Sequence, residues 1–496
     1  MIQRAAGLLL HPTSLPGPRG IGTLGAQARA WVDRLSAAGV RWWQILPLGP
    51  TGYGHSPYQC YSAFAGNPLL IDCEALADAG LLREDELASS GSDTAKVDYP
   101  GVSSGSAAML KAAFGRFAPT PAYEKFCSEH AAWLEDYALF MALLEHFGFR
   151  EWNAWPEAVR QREPEAIRHY ADVLKAQTGY HRFVQFLFYD QWEALRSYAN
   201  KKGVRILGDL PIYVAMNSAD VWANPHFFQL DDALQPTRVA GVPPDYFSET
   251  GQRWGNPLFD WDALEKEGFS WWIARMKSSQ ELYDMVRIDH FRGFESYWSV
   301  PAEETTAVKG TWVKGPGHKL FDALRSALGK DLPIIAEDLG IITPDVEALR
   351  DYYDLPGMKV LQFAFGSDAS NPYLPHNHTR NCVVYTGTHD NDTTNGWFYA
   401  EPPHEAERAH TLRYLNCAWE AFHKTLNRTA LASTAALAVL PLQDLLGLGS
   451  DARMNTPGTA QGNWRWRVTQ QQLDEAPWDE LKEMCELYGR TDKGEK

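Results

Sequence analysis

Eight short, near-continuous apolar runs punctuate this chain: "GLLLHP" (7–12), "RWWQILPL" (41–48), "VRILGDLPI" (204–212), "DMVRIDHF" (284–291), "LPIIAEDLG" (332–340), "GMKVLQFAF" (357–365), "NCVVYTGTHD" (381–390) and "ALAVLPLQD" (436–444). Most are followed by a helical pattern, as in 26–40, where Ala28, Trp31, Leu35 and Ala38 share a face before Gly39. Strands that are apolar on both faces and alternate with helices indicate a parallel sheet covered on both sides. Eight such units predict an α/β fold of the (β/α)8 TIM-barrel class, with large helical and loop insertions. An open doubly wound sheet is the alternative, because periodicity does not show closure.

The 496 residues then read as one catalytic barrel spanning 1–496 with two interruptions. Between the second and third runs lie too many residues for one connection, and 75–180 reads as an inserted helical subdomain. Between the third and fourth, 231–261 is dense in Pro, Gly and aromatic residues. A disordered linker would lack those aromatics, so an ordered, lid-like loop over the C-terminal mouth is expected.

Charge and cysteine usage exclude several classes. A net charge of −16 with no basic tract argues against a nucleic-acid partner. No apolar run approaches the ~20 residues of a membrane span. Six cysteines form no C-x-x-C pair, so neither a disulfide framework nor a zinc site is suggested. The N-terminal apolar run is broken by His11-Pro12 before it reaches signal-peptide length, and a cytoplasmic location is expected.

Three runs end in carboxylates: Asp289 in "VRIDHF", Glu337 in "IIAEDLG" and Asp390 in "YTGTHDND". A parallel barrel gathers the C-terminal ends of its strands on one face, so the three acids can share a pocket. Taken singly, each could instead be a helix cap or a surface acid. Together they suit retaining glycosidic chemistry, which needs an ionised nucleophile and a protonated acid ~5–5.5 Å apart, with a third carboxylate free to hold sugar hydroxyls. Arg287 lies two residues before Asp289 on the same strand face and is expected to help keep it ionised. The rival reading, "THDND" (388–392) as a metal-ligand run, requires His389 and Asp390 to enter one site, which a continuing strand forbids.

Segments spread along almost the whole chain carry a family resemblance: "HPTSLPGPRGIGTLG", "WWQILPLGPTGYGHSPYQCYSAFAGNP", "GDLPIYVAMNSADVWANP", "AGVPPDYFSETGQRWGNP", "VRIDHFRGFESYW", "AEDLG", "GTHDNDTT" and "RMNTPGT…NWRWR". The chain resembles the 4-α-glucanotransferases of glycoside hydrolase family 77, within the α-amylase-like clan. The resemblance implies Asp289 as nucleophile, Glu337 as general acid/base and Asp390 as transition-state stabiliser. It implies Arg287, His290 and His389 around the cleaved glucose, Tyr58 stacked on that sugar, and Asp245, Gln252 and Trp254 on a lid that holds the chain. Ser56, Asp368 and Asn463 complete the implied substrate contacts. Neither a metal nor an organic cofactor is implied, and the implied partners are α-1,4-glucan donors and acceptors such as maltooligosaccharides and amylose. A retaining α-glucan hydrolase with the same acids and a non-enzymatic glucan-binding barrel are the alternatives.

Overall fold

The structure, a computed structural model, describes residues 2–87, 94–244, 248–399, 405–459 and 461–491. Twelve strands lie among them: β1 (Ala5–Leu9), β2 (Trp42–Gln44), β3 (Arg205–Pro211), β4 (Arg238–Val242), β5 (Gln252–Pro257), β6 (Met285–Asp289), β7 (Ser296–Pro301), β8 (Thr311–Lys314), β9 (Ile334–Ala336), β10 (Gly357–Val360), β11 (Cys382–Tyr385) and β12 (Leu437–Pro441). The eight apolar runs are β1, β2, β3, β6 and β9 to β12. They form one parallel sheet in the order β10-β11-β12-β1-β2-β3-β6-β9. Its two ends meet where the Ala336 N–H donates to the Pro356 carbonyl at 2.9 Å, which closes the barrel.

Burial explains why these runs become strands. Every residue of β1, β9, β11 and β12 is buried, as a sheet covered by helices requires. The helix Ala26–Ala37 lays Ala28, Trp31, Val32 and Leu35 on the barrel, each at most 1% exposed. Gly208 is needed on β3 because a Cβ there would lie 2.3 Å from the Tyr283 ring.

The described residues of 75–180 include helices at Tyr99–Phe114, Pro121–Glu129, Ala131–His146 and Pro164–Val173. A helix of 27 residues, Lys175–Lys201, carries the chain back into β3. Leu139, Phe140 and Leu143 of the inserted helices share one continuous apolar core with barrel residues such as Leu8 and Ile206.

The segment 231–261 departs from the expected loop. It contains β4 and β5, which pair antiparallel and join β7 and β8 in a second sheet of order β5-β4-β7-β8. The Gly and Pro that suggest a loop sit at a register shift between Val239 and Gly241 and at the end of β5.

Asp338 braces the closure. Its carboxylate accepts the Met358 N–H of β10 at 2.6 Å and pairs with Arg350. Asp338→Ala is expected to lower stability by ~2–4 kcal/mol, because the Met358 N–H loses its acceptor and Arg350 is left with the exposed Asp351 alone. Urea unfolding measures this as a lower midpoint; a loss under ~1 kcal/mol would show that closure does not depend on this carboxylate.

Candidate active site

The parallel register of the barrel builds the site. Arg287 of β6 is the Cα partner of Asp209 on β3, so their side chains leave neighbouring strands side by side. The Arg287 Nη1 donates to Asp209 Oδ1 at 3.0 Å and Oδ2 at 2.9 Å. Asp289, two residues further along β6, shares the face of Arg287. Its Oδ1 accepts from Arg287 Nη1 at 3.0 Å and Nη2 at 2.7 Å. Among the described residues, all hydrogen bonds to this carboxylate go to Oδ1.

Glu337 follows β9 directly. Its Oε2 accepts the His290 backbone N–H at 2.7 Å, and its Oε1 accepts that of Leu339 at 2.8 Å. The His290 N–H can aim there because the chain turns sharply after β6, with His290 at φ 55° in the left-handed region, unfavourable for a residue with a Cβ. The residue after Asp289 therefore holds Glu337, which ties the two carboxyls together.

Asp390 and His389 lie past the end of β11 at Tyr385, so the strand alternation that would separate them no longer applies. His389 Nε2 lies 3.4 Å from Asp390 Oδ1. Asn455 Nδ2 donates to Asp390 Oδ1 at 2.6 Å, and Arg453 Nη2 to its carbonyl at 2.6 Å. Tyr58 bridges the two halves: its hydroxyl donates to Asp209 Oδ2 at 2.7 Å and lies 2.8 Å from His389 Nε2. Its ring stacks on His389 at 5.3 Å, with Trp464 tilted beside it at 5.8 Å.

The other expected residues divide. Trp254 on β5 stands edge-on to His290 at 4.8 Å, and its Nε1 donates to Gln252 Oε1 at 3.2 Å. His290 Nε2 is buried with no hydrogen-bond partner. Ser56 Oγ accepts the Tyr58 N–H at 3.2 Å. Asn463 shapes its own loop, accepting from the Thr456 N–H at 3.0 Å and donating to the Thr459 carbonyl at 2.9 Å. Asp368 is exposed and bonded within its own turn by Ser370, with no contact to the three acids. Asp245 lies outside the described residues. Asp209, Arg453, Asn455 and Trp464 are the neighbours that sequence reasoning missed. A carboxylate inside an otherwise apolar run was the available signal for Asp209.

Arg287 acts on Asp289 in the expected direction, but burial outweighs it. Burial raises its carboxyl well above the ordinary range; Arg287 pulls it down, but Asp209, Glu337 and Asp390 push with burial. Arg287 is also divided between two carboxylates, so it does not dominate. Burial raises Glu337 as well, against Arg287 and the two backbone donors. Two interacting acids raised together titrate as a pair, which can hold one proton between them. Burial lowers His290 to about 3 and also lowers His389, so both rings favour the neutral form. Among the described residues, no group of three or more His, Cys, Asp or Glu is placed to hold a metal ion.

The Arg287 side chain is 3% exposed and that of Asp209 0%. Asp209→Ala is therefore expected to cost ~3–5 kcal/mol, the usual penalty for breaking a buried ion pair. Chemical denaturation measures it; a cost under ~1 kcal/mol would mean that Asp289 alone satisfies the guanidinium.

Comparisons with known proteins identify the family. The family model described as 4-alpha-glucanotransferase, glycoside hydrolase family 77, matches residues 10–472. The 4-alpha-glucanotransferase of Thermus thermophilus is 52% identical over 503 residues, covering 99% of each chain. The chloroplastic/amyloplastic 4-alpha-glucanotransferase of Solanum tuberosum is 47% identical over 511 residues, covering 98% of this chain and 87% of its own. The amylomaltase from Streptococcus agalactiae, solved in complex with acarbose, matches with a TM-score of 0.95 at 41% identity, covering 99% of this chain and 100% of that one. With the match running through the barrel and the segments that carry all three acids, the chain belongs to the 4-alpha-glucanotransferase family.

Proposed function

We propose that Asp289 and Glu337 carry out a retaining double displacement on α-1,4-glucans. The enzyme is a glucan transglycosylase, as its family membership shows; the residue roles are the proposal. The observation that carries it is the linkage of the two carboxyls, with Asp289 fixed through Oδ1 by Arg287 and Glu337 fixed by the N–H of the next residue, His290.

In the first step Asp289 Oδ2, outside the guanidinium bonds, attacks the anomeric carbon of the donor. Glu337 gives its proton to the glycosidic oxygen, and the reducing-end part of the donor leaves as an alcohol. In the second, Glu337 takes the proton from the 4-hydroxyl of an acceptor glucan. That oxygen attacks the anomeric carbon, the bond to Asp289 breaks, and the α-configuration is restored. Asp390, oriented by Asn455 and His389, and the free His290 Nε2 are proposed to bind hydroxyls of the reacting glucose. Transfer requires a sugar to outcompete water, and the sheet segment bearing Gln252 and Trp254 is proposed to cover the intermediate.

Donors and acceptors are proposed to be maltooligosaccharides or amylose. All six cysteines are free thiols, which supports a reducing, cytoplasmic setting. No described helix is long and apolar enough to cross a membrane.

Incubation with maltotriose should yield glucose and a ladder of longer maltooligosaccharides; shortened products alone would overturn acceptor transfer. Asp289→Asn and Glu337→Gln should each lower kcat on maltotriose at least ~100-fold, and a near-normal rate in either variant would remove that residue's role.

The pH profile follows from the two raised carboxyls. As pH falls through the pair's lower apparent pKa, the nucleophile is protonated and activity is lost. As pH rises through the upper one, the acid loses its proton and activity is lost again. Both limbs of kcat/KM should sit above the ordinary carboxyl range near ~4. An alkaline limb at that ordinary value would contradict the burial of Glu337.

A further inference from the structure

The second sheet ends in β8, whose four residues are all exposed. Trp312 is 41% exposed and Ile341, beside it, 52%. The ring of Trp312 is nevertheless held in place. The Arg292 guanidinium lies 3.8 Å from its centroid on one face, and Trp298, its register partner on β7, meets it edge-on at 5.2 Å. Arg292 is itself fixed: it is 6% exposed, its Nη1 donates to the Ile341 carbonyl, and its Nη2 donates to Ser296 Oγ at 3.1 Å. The result is a part-exposed indole held on one face by a guanidinium and at its side by a second indole.

We propose that Trp312, backed by Arg292 and Trp298, is a stacking platform for the apolar faces of glucose units on the leaving-group and acceptor side of the pocket. This rests on Glu337 being the acid/base. Retaining chemistry fixes the side: the acid protonates the oxygen of the leaving glucan, and the acceptor enters along the same path. Both anchors of the platform belong to the segments that carry the reacting acids. Arg292 follows Asp289 by three residues, and Ile341 follows Glu337 by four. These separations put the anchors within about 10–14 Å of the two acids along the backbone, a few glucose lengths.

The occupant is an α-glucan chain continuing from the pocket rather than a second copy of the protein. Strand pairing with another copy is opposed by the shortness of β8 and by Lys309 and Lys314 at its ends, whose side chains are each 73% exposed. A rigid aromatic surface binds a flexible sugar chain at little entropic cost on the protein's side. It would hold a long acceptor in place after the first leaving group departs.

The test uses α-maltosyl fluoride as donor, whose fluoride leaving group keeps the acceptor side clear, with glucose or maltohexaose as acceptor. In Trp312→Ala the KM for maltohexaose should rise on the order of tenfold relative to that for glucose, and Trp312→Phe should recover most of that ratio. An unchanged ratio, or an equal rise for both acceptors, overturns the platform. A binding arm needs no turnover: Glu337→Gln should be retarded in amylose-containing gels, and the double variant Glu337→Gln/Trp312→Ala measurably less so. Equal retardation overturns the platform. Dissociation of a dimer by Trp312→Ala with an unchanged acceptor ratio would identify an interface between copies instead, also overturning it. If Glu337→Gln turns over maltotriose normally, the acid/base assignment fails, while the gel comparison still reports on Trp312.

Discussion

Everything in the pocket depends on one guanidinium that water cannot reach. An isolated charge at the position of Arg287 would be strongly unfavourable, so the chain must bring carboxylates to it. The barrel does this by register: Asp209 stands opposite Arg287 on the neighbouring strand, and Asp289 follows two residues later on the same face. The cation therefore stabilises the fold and orients Asp289, the proposed nucleophile, through the same hydrogen bonds. Its two carboxylates differ in exposure, with Asp209 fully enclosed and the Asp289 side chain 30% exposed. One acid anchors the arginine, and the other is left facing the cleft.

From that pair the order spreads to the far side of the pocket. Tyr58 takes hold of Asp209 and reaches His389, which stands beside Asp390, so Asp289 and Asp390 are linked through a shared buried carboxylate. Such a chain of polar contacts is stable in a low-dielectric interior only when its members are partnered. His290 Nε2 has no such partner, and the proposed mechanism gives it a hydroxyl of the bound sugar.

The pattern of the chain made the barrel legible because parallel strands buried on both faces must be apolar throughout, a strong signal even at three or four residues. The second sheet was not legible for the converse reason. β4 and β5 are interrupted by Gly241 and Gly255 and closed by Pro257, so their composition reads as loop although their hydrogen bonds make a ladder. In the site, acids at strand ends were found and Asp209 was missed, because it sits within a strand and its need becomes visible only when the register places Arg287 beside it. The same holds for the pKa of Asp289: a neighbouring arginine pulls it down, but burial and the number of carboxylates sharing that arginine are properties of the assembled barrel.

The carboxylates alone do not distinguish transfer from hydrolysis, since water and a sugar hydroxyl can each resolve the covalent intermediate through the same base. Selection between them must come from what surrounds the acceptor's path. Water arrives at high concentration without orientation; a glucan arrives rarely and succeeds only if it is held in line with the anomeric carbon. The inserted sheet touches the segment after Asp289 at both of its edges: Trp254 on the edge strand β5 stands against His290, and Trp312 on the opposite edge strand β8 against Arg292. Both contacts fall within three residues of Asp289, so a single element beyond the barrel can bear on the intermediate from two directions. In the proposed mechanism the barrel supplies the reacting groups, and the sheet inserted between its strands is the element that would favour a sugar over water.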